Sequence, residues 1–242
     1  MYNDVLTKFQ KDYSYDLITE CFGIESKLYA EDFIITKSIY NKYIDIIETN
    51  IDIIKGKKVI DVGAGSGMWS ILMLLSGATN VIAVEPRDYL YNGLRNTVEK
   101  HNLNIKCIKG FHNDIEGKYD TVILSGILGL IPERVEYLET LGNHGQYIFI
   151  RNAVHNISEN CVEVNLRHNN NYMQGYNLKQ PVLNDLGYQT TTTLQTKDAR
   201  IGQYLKHKFG TNYFYSISQY LGYSIHRRYI ANGNQYYVLK TI

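Results

Sequence analysis

The chain has 242 residues, 44% hydrophobic and 20% charged, with 25 Lys+Arg against 24 Asp+Glu. This length suits one substantial α/β domain with an elaboration, and the composition excludes disordered and fibrous classes. No apolar run approaches the ~20 residues that cross a bilayer, and the N-terminus has no basic segment followed by an apolar one, so the expectation is a cytoplasmic protein without membrane association.

The apolar residues Phe33, Tyr40, Tyr43, Ile44, Ile47, Ile51 and Ile54 recur at helical spacing, which predicts one long helix ended by Gly56. "KKVIDV" then reads as a buried strand, "GMWSILMLLSG" as a helix stopped at Gly77, and "NVIAV" as a second strand. A helical stretch from Asp88 to His101 leads to a third strand, "IKCIK". The fourth, "YDTVIL", follows so closely that the intervening helix is expected to be vestigial. "IPERVEYLETLG" is a helix with Pro132 in its first turn, and "GQYIFI" a fifth strand. Strands that are apolar throughout and alternate with helices predict a parallel sheet covered on both faces. Asn152 to Gly210 is polar, with "RHNNNYMQGYN" and "YQTTTTLQT", and reads as an insertion of short strands and loops. "TNYFYSISQYLG" is helical, and two β-rich runs flank "NGN" as a hairpin at one edge of the sheet.

Charge divides the chain. Residues 1–150 hold 15 Lys+Arg and 20 Asp+Glu, whereas residues 151–242 hold 10 and 4 and are rich in tyrosine. A basic face with aromatic groups attracts anionic partners, nucleic acid included. The three cysteines, Cys21, Cys107 and Cys161, have no paired spacing and read as buried thiols, neither disulfides nor metal ligands.

"VIDVGAGSGMW", Val59 to Trp69, carries the chemistry. Open α/β sheets bind ligands at the carboxyl ends of their strands, where this stretch lies. Gly63, Gly65 and Gly67 permit positive φ and a close ligand approach. The following helix aims unpaired N–H groups at that ligand, which favours a carboxylate or phosphate. A dinucleotide site needs G-x-G-x-x-G, but Met68 stands where the third glycine belongs. No G-x-x-x-x-G-K-[ST] loop exists either.

The stretch resembles motif I of class I S-adenosylmethionine-dependent methyltransferases, D-x-G-x-G-x-G after a strand. "VIAVEPRD" resembles their motif II, "YDTVILSGILGLIPE" the fourth-strand segment, and "GQYIFIR" the fifth strand. The terminal hairpin is similar to their sixth and seventh strands. The resemblance covers Lys57–Arg151 and Tyr223–Ile242. It implies a doubly wound, mostly parallel seven-stranded sheet. It also implies an N-terminal helical cap (1–56), a cofactor-binding core (57–151), a substrate-side insertion (152–210) and a C-terminal helix and hairpin (211–242) that complete the sheet.

By the same resemblance, Asp61 organises the loop and reaches the methionine ammonium, while Gly63, Gly65 and Gly67 lie along the methionine. Glu85 holds the ribose hydroxyls, and Pro86 or Arg87 packs beside the adenine. Ser125 and Gly126 lie near the ammonium and the methyl group. The adenine-side position after the third strand falls within "GFHNDIEG", where Phe111, His112, Asn113 and Asp114 compete and His112 and Asn113 are preferred. Trp69 reads as a core anchor. The implied cofactor is S-adenosyl-L-methionine, with S-adenosyl-L-homocysteine as product and no metal.

If the acceptor carries a proton, candidate bases are His155, His112 and His144, with His155 preferred. The fourth strand ends in "SGIL", which lacks the [DNS]-P-P-[YFW] of enzymes acting on exocyclic base amines and the Pro-Cys of cytosine C5 enzymes. Two acceptor readings stand: a small organic molecule under a lid lined by tyrosines, or a phosphate-bearing nucleotide or nucleic acid on the basic half. Arg151, Arg200 and Tyr204, which support the phosphate-bearing reading, are the candidate substrate contacts. A non-catalytic cofactor-binding or scaffold protein is the reading from another class; it does not account for the intact loop glycines and Glu85.

Overall fold

The first described element is a 22-residue helix, α1 (Lys8–Tyr29). Ser14, Leu17, Ile18 and Cys21 are buried on it at i, i+3, i+4, i+7, one helical face turned inward. The coordinates are a computed structural model that describes residues 8–29, 35–128, 131, 134–153, 161–168, 189–193, 203–209, 213–231 and 233–242. The side chains of 8–13, 26–29, 153, 161–168, 189–193, 203–209 and 213 lie outside the description.

Helix α2 is shorter than its periodicity predicts, Lys37–Thr49. Thr36 caps its N-terminus by accepting from the Ile39 N–H at 3.3 Å. Asn50 ends it. The Asn50 side chain donates to the Ile46 carbonyl at 2.7 Å, and a separate 3-10 turn, Ile51–Ile53, follows. Tyr40, Ile44 and Ile47 of the expected stripe are buried; Phe33 lies outside the described residues.

The alternating elements follow as read: β1 (Lys58–Val62), α3 (Met68–Leu75), β2 (Asn80–Val84), α4 (Asp88–Lys100), β3 (Ile105–Ile108) and β4 (Tyr119–Ser125). Between β3 and β4 only a 3-10 turn, His112–Asp114, remains of a helix. The last four residues of β1 and of β2 are all buried, as a parallel sheet covered on both faces requires. Then come α5 (Arg134–Gly142), β5 (Gly145–Ala153), β6 (Cys161–His168), β7 (Gln189–Thr193), β8 (Gln203–Phe209), α6 (Tyr213–Tyr220), β9 (Ser224–Ala231) and β10 (Asn234–Lys240).

Seven strands form one sheet in the order β3-β2-β1-β4-β5-β10-β9, with β10 antiparallel to β9 as the "NGN" turn predicts. The polar segment after β5 contributes its own three-stranded sheet, β7-β6-β8. The chain divides into two units, residues 1–125 with 144–147, and 126–143 with 148–242. In the first, α1 packs on α3 and α4. The approach to α4 is close enough that a Cβ on Gly93 would stand 2.8 Å from Ile24 Cγ2. Glu20 reinforces it by accepting from Lys100 at 2.8 Å and pairing with His101 at 3.0 Å. In the second unit, Phe214 of α6 packs on Tyr237 of β10, with ring centroids 5.0 Å apart.

Candidate functional site

Register sets the site. Asp61 lies opposite Ala83 and Val62 opposite Val84, so Gly63 comes level with Glu85, one residue past the end of β2. The loop is tied there by the Gly63 and Ala64 N–H groups, which both donate to the Val84 carbonyl at 2.8 and 3.0 Å. Gly63, Gly65 and Gly67 have φ of 73°, 61° and 95°, the region side chains rarely adopt. Gly67 has a second reason to lack a side chain: a Cβ would run into the Leu94 side chain of α4. Helix α3 then starts directly behind the loop, its Ile71 N–H bonded to the Gly67 carbonyl at 2.9 Å. Trp69 anchors it, 4% exposed and edge-on to Tyr43 at 5.6 Å.

Two buried carboxylates flank this loop. Asp61, 1% exposed, accepts on Oδ2 from the Ser70 hydroxyl at 2.7 Å, while its buried Oδ1 has no hydrogen-bond partner. Burial pushes its carboxyl up to about 7; the Ser70 hydrogen bonds oppose this, and the Glu85 charge adds to it. Glu85, 0% exposed, accepts from the Gly65 N–H at 2.8 Å and the Arg87 N–H at 3.0 Å. Arg87, expected beside the adenine, folds back onto Glu85, donating through Nε at 2.5 Å and Nη2 at 3.1 Å. Pro86 is half-buried between them in sequence.

After β3, Asp114 is occupied with its own turn, accepting from the Phe111 N–H at 2.7 Å. His112 and Asn113 remain for the adenine side, His112 half-buried and Asn113 exposed. Desolvation lowers the His112 pKa and so favours the neutral ring, while the Asp114 charge opposes the shift. At the end of β4, Ser125 is partly buried. In the second unit, Gly126 has φ 75° and donates its N–H to the Arg151 carbonyl at 2.9 Å. The Arg151 guanidinium passes 3.7 Å from the Cβ position of Gly126, so these two sequence candidates are brought together. His155 and Arg200 lie outside the described residues, as do the side chain of Tyr204 and Pro132 of the expected first turn of α5. His144 spends Nδ1 on the Gly117 carbonyl at 2.9 Å.

Sequence reasoning missed what α1 brings. Glu25 Oε1 accepts from the Ser66 hydroxyl at 2.7 Å, and the Cys21 thiol donates to the Ser66 carbonyl at 3.2 Å. The signal was present, because Glu25 follows Cys21 by one turn and so extends the inward face of α1. Cys21 itself is no nucleophile: burial pushes its thiol up to about 12. Among the described residues, no cluster of three or more His, Cys, Asp or Glu could hold a metal ion, and no helix is long and apolar enough to cross a membrane.

A loop of bare backbone, a helix N-terminus, an unpartnered buried acceptor and a second acid one strand over fit a ligand with a zwitterionic end and a diol. Solved structures share the fold. Magnesium protoporphyrin IX methyltransferase from Synechocystis PCC 6803, with bound SAH, matches with a TM-score of 0.57 at 16% identity, covering 96% of this chain and 98% of that one. TehB from Haemophilus influenzae matches with a TM-score of 0.52 at 17% identity, over 90% of this chain and 65% of that one. The protein therefore has the class I methyltransferase fold. The family model described as "Tellurite resistance protein TehB" matches residues 26–211, and the chain belongs to that family of S-adenosylmethionine-dependent methyltransferases. Ribosomal protein L11 methyltransferase from Thermosipho melanesiensis is 30% identical over 83 residues, 34% of this chain and 32% of that protein. The chain thus spans about a third of the length of that curated relative.

Proposed function

We propose that this protein transfers a methyl group from S-adenosylmethionine to an O or N nucleophile of a small molecule. The observation that carries the reading is the pair of buried carboxylates, Asp61 and Glu85, set around the glycine loop at the ends of adjacent parallel strands. The bound cofactor supplies an electrophilic methyl on a sulfonium; the chain supplies binding and orientation. Asp61, once ionised, accepts from the methionine ammonium through the oxygen that Ser70 leaves over. Glu85 accepts from the two vicinal ribose hydroxyls, a task suited to a carboxylate. His112 and Asn113 border the adenine, and Ser125 and Gly126 border the methyl group. His155 is the base assigned to a protonated acceptor, and Arg151, Arg200 and Tyr204 are assigned to the acceptor itself.

The division of labour follows the four segments read from the sequence: 1–56 as cap, 57–151 as cofactor core, 152–210 on the substrate side, 211–242 completing the sheet. The separate sheet formed by β6, β7 and β8 supports a distinct role for the insertion. Two observations favour a small acceptor over nucleic acid. The family's description names resistance to tellurite, a small oxyanion. In addition, the Arg228 guanidinium lies 5.5 Å over the Tyr237 ring, so part of the basic, tyrosine-rich face is satisfied within the protein.

Isothermal titration with S-adenosylmethionine tests the cofactor; no binding at several hundred micromolar overturns the enzyme reading. Transfer of labelled methyl to a panel of small O and N nucleophiles, tellurite and RNA tests the acceptor. Transfer to RNA alone, with binding that falls steeply as salt rises, would replace the small-molecule reading.

A further inference from the structure

The carboxylate of Glu85 has about four acceptor positions on its two oxygens. Four donors meet them: the Gly65 N–H at 2.8 Å and Arg87 Nη2 at 3.1 Å on Oε2, the Arg87 N–H at 3.0 Å and Arg87 Nε at 2.5 Å on Oε1. Three of the four come from Arg87. Across the loop, Glu25 Oε1 holds the Ser66 hydroxyl at 2.7 Å and stands 3.5 Å from the Ser66 N–H. The same oxygen lies 3.2 Å from the point where a Cβ on Gly65 would be, and Arg87 Nη2 lies 4.0 Å from that point. The stretch of backbone that glycine leaves bare is therefore covered by an acid and a base of the chain itself.

Both are the wrong partners for a cofactor site at work. Ribose hydroxyls need the lone pairs that Arg87 takes. A ligand lying along Gly65 needs the space that Glu25 and Arg87 cover. We propose that Arg87 and Glu25 are intramolecular competitors of the cofactor, so that uptake is an exchange in which the ribose replaces Arg87 on Glu85 and the methionine end replaces Glu25 at Ser66. This rests on the S-adenosylmethionine reading given above. The exchange lowers affinity by the fraction of molecules whose Arg87 and Glu25 have swung clear, since apparent Kd is the intrinsic value divided by that fraction. Helix α1 does not depend on Glu25 for its position, because its inward face, the Cys21–Ser66 bond and the Glu20 contacts to α4 hold it independently.

Titration with S-adenosylhomocysteine, which does not turn over, reads the exchange without any acceptor. Arg87→Met should tighten binding by about fivefold to tenfold and Glu25→Ala by about threefold. Arg87→Lys keeps a charge but loses the planar fork, so it should tighten binding by about twofold and covers the case in which Arg87→Met does not fold. If wild type binds and the Arg87 variants bind equally or more weakly, the exchange falls while the cofactor reading stands. A tightening confined to the Arg87 variants overturns the part assigned to Glu25. If neither wild type nor any variant takes up S-adenosylhomocysteine, the exchange and the cofactor reading fall together.

Discussion

The carboxyl ends of β1 and β2 lie side by side and end in acids of equal burial, yet the two acids are treated oppositely. Asp61 is given Ser70 on one oxygen and nothing on the other, and burial pushes it up to about 7. Glu85 is given four donors. Burial alone does not define what a carboxylate can do; the number of donors around it does. Asp61 has a lone pair to offer but must lose a proton to offer a full charge. Glu85 must surrender donors before it can accept others. One strand end is under-satisfied and the other saturated, and a ligand bridging them meets a different cost at each.

The largest break in this comparison is removal of the saturated end. Glu85→Ala should weaken S-adenosylhomocysteine binding about a hundredfold, near 3 kcal/mol, because a buried double acceptor is lost. Calorimetric affinity within a few-fold of wild type would mean that the ribose lies elsewhere.

The under-satisfied end is tested by pH. Asp61 carries a proton in the folded state up to about 7, whereas its ordinary value is 3.8, so between these values the folded protein binds a proton that the unfolded chain lacks. Stability should therefore be greatest below pH 4 as far as this group is concerned, and decline as pH rises through 7. Asp61→Asn should flatten that decline and leave the variant more stable than wild type by about 2 kcal/mol at pH 8. Urea unfolding across the range, with the same slope in both proteins, would remove the assignment. Cofactor affinity moves the other way: binding of the methionine ammonium should strengthen as pH rises through 7 in wild type and not in Asp61→Asn.

The smallest effect sharpens the contrast by making Asp61 still less satisfied. Ser70→Ala removes a hydrogen bond worth about 1 kcal/mol and should move the midpoint of the pH-dependent decline upward. A midpoint that stays in place or falls would show that Ser70 does not hold the ionised form.

Much of this was legible in the chain. The glycine loop, the order of strands and helices, the vestigial turn before β4 and the terminal hairpin were read correctly because each is local. Positive φ selects glycine, and periods of 2 and 3.6 residues report which face is buried. The single long helix over 33–54 was not, because Asn50 ends α2 with a side-chain bond to Ile46 that apolar spacing does not register. The role of α1 was missed for a different reason. Its inward stripe is visible, but a stripe does not name the surface it will cover.

The sequence by itself determined that a strand must turn through three bare residues into a helix, with an acid on each of two adjacent strand ends. Backbone sterics and short-range periodicity leave little else for those residues to do. Tertiary structure alone decided that Glu25 would reach Ser66 across 41 positions and that Cys21 would reach it across 45. It also decided that burial would push the Asp61 carboxyl up to about 7. These outcomes depend on which helices pack together and how completely they exclude water, and that is a property of the assembled interior, not of any one segment.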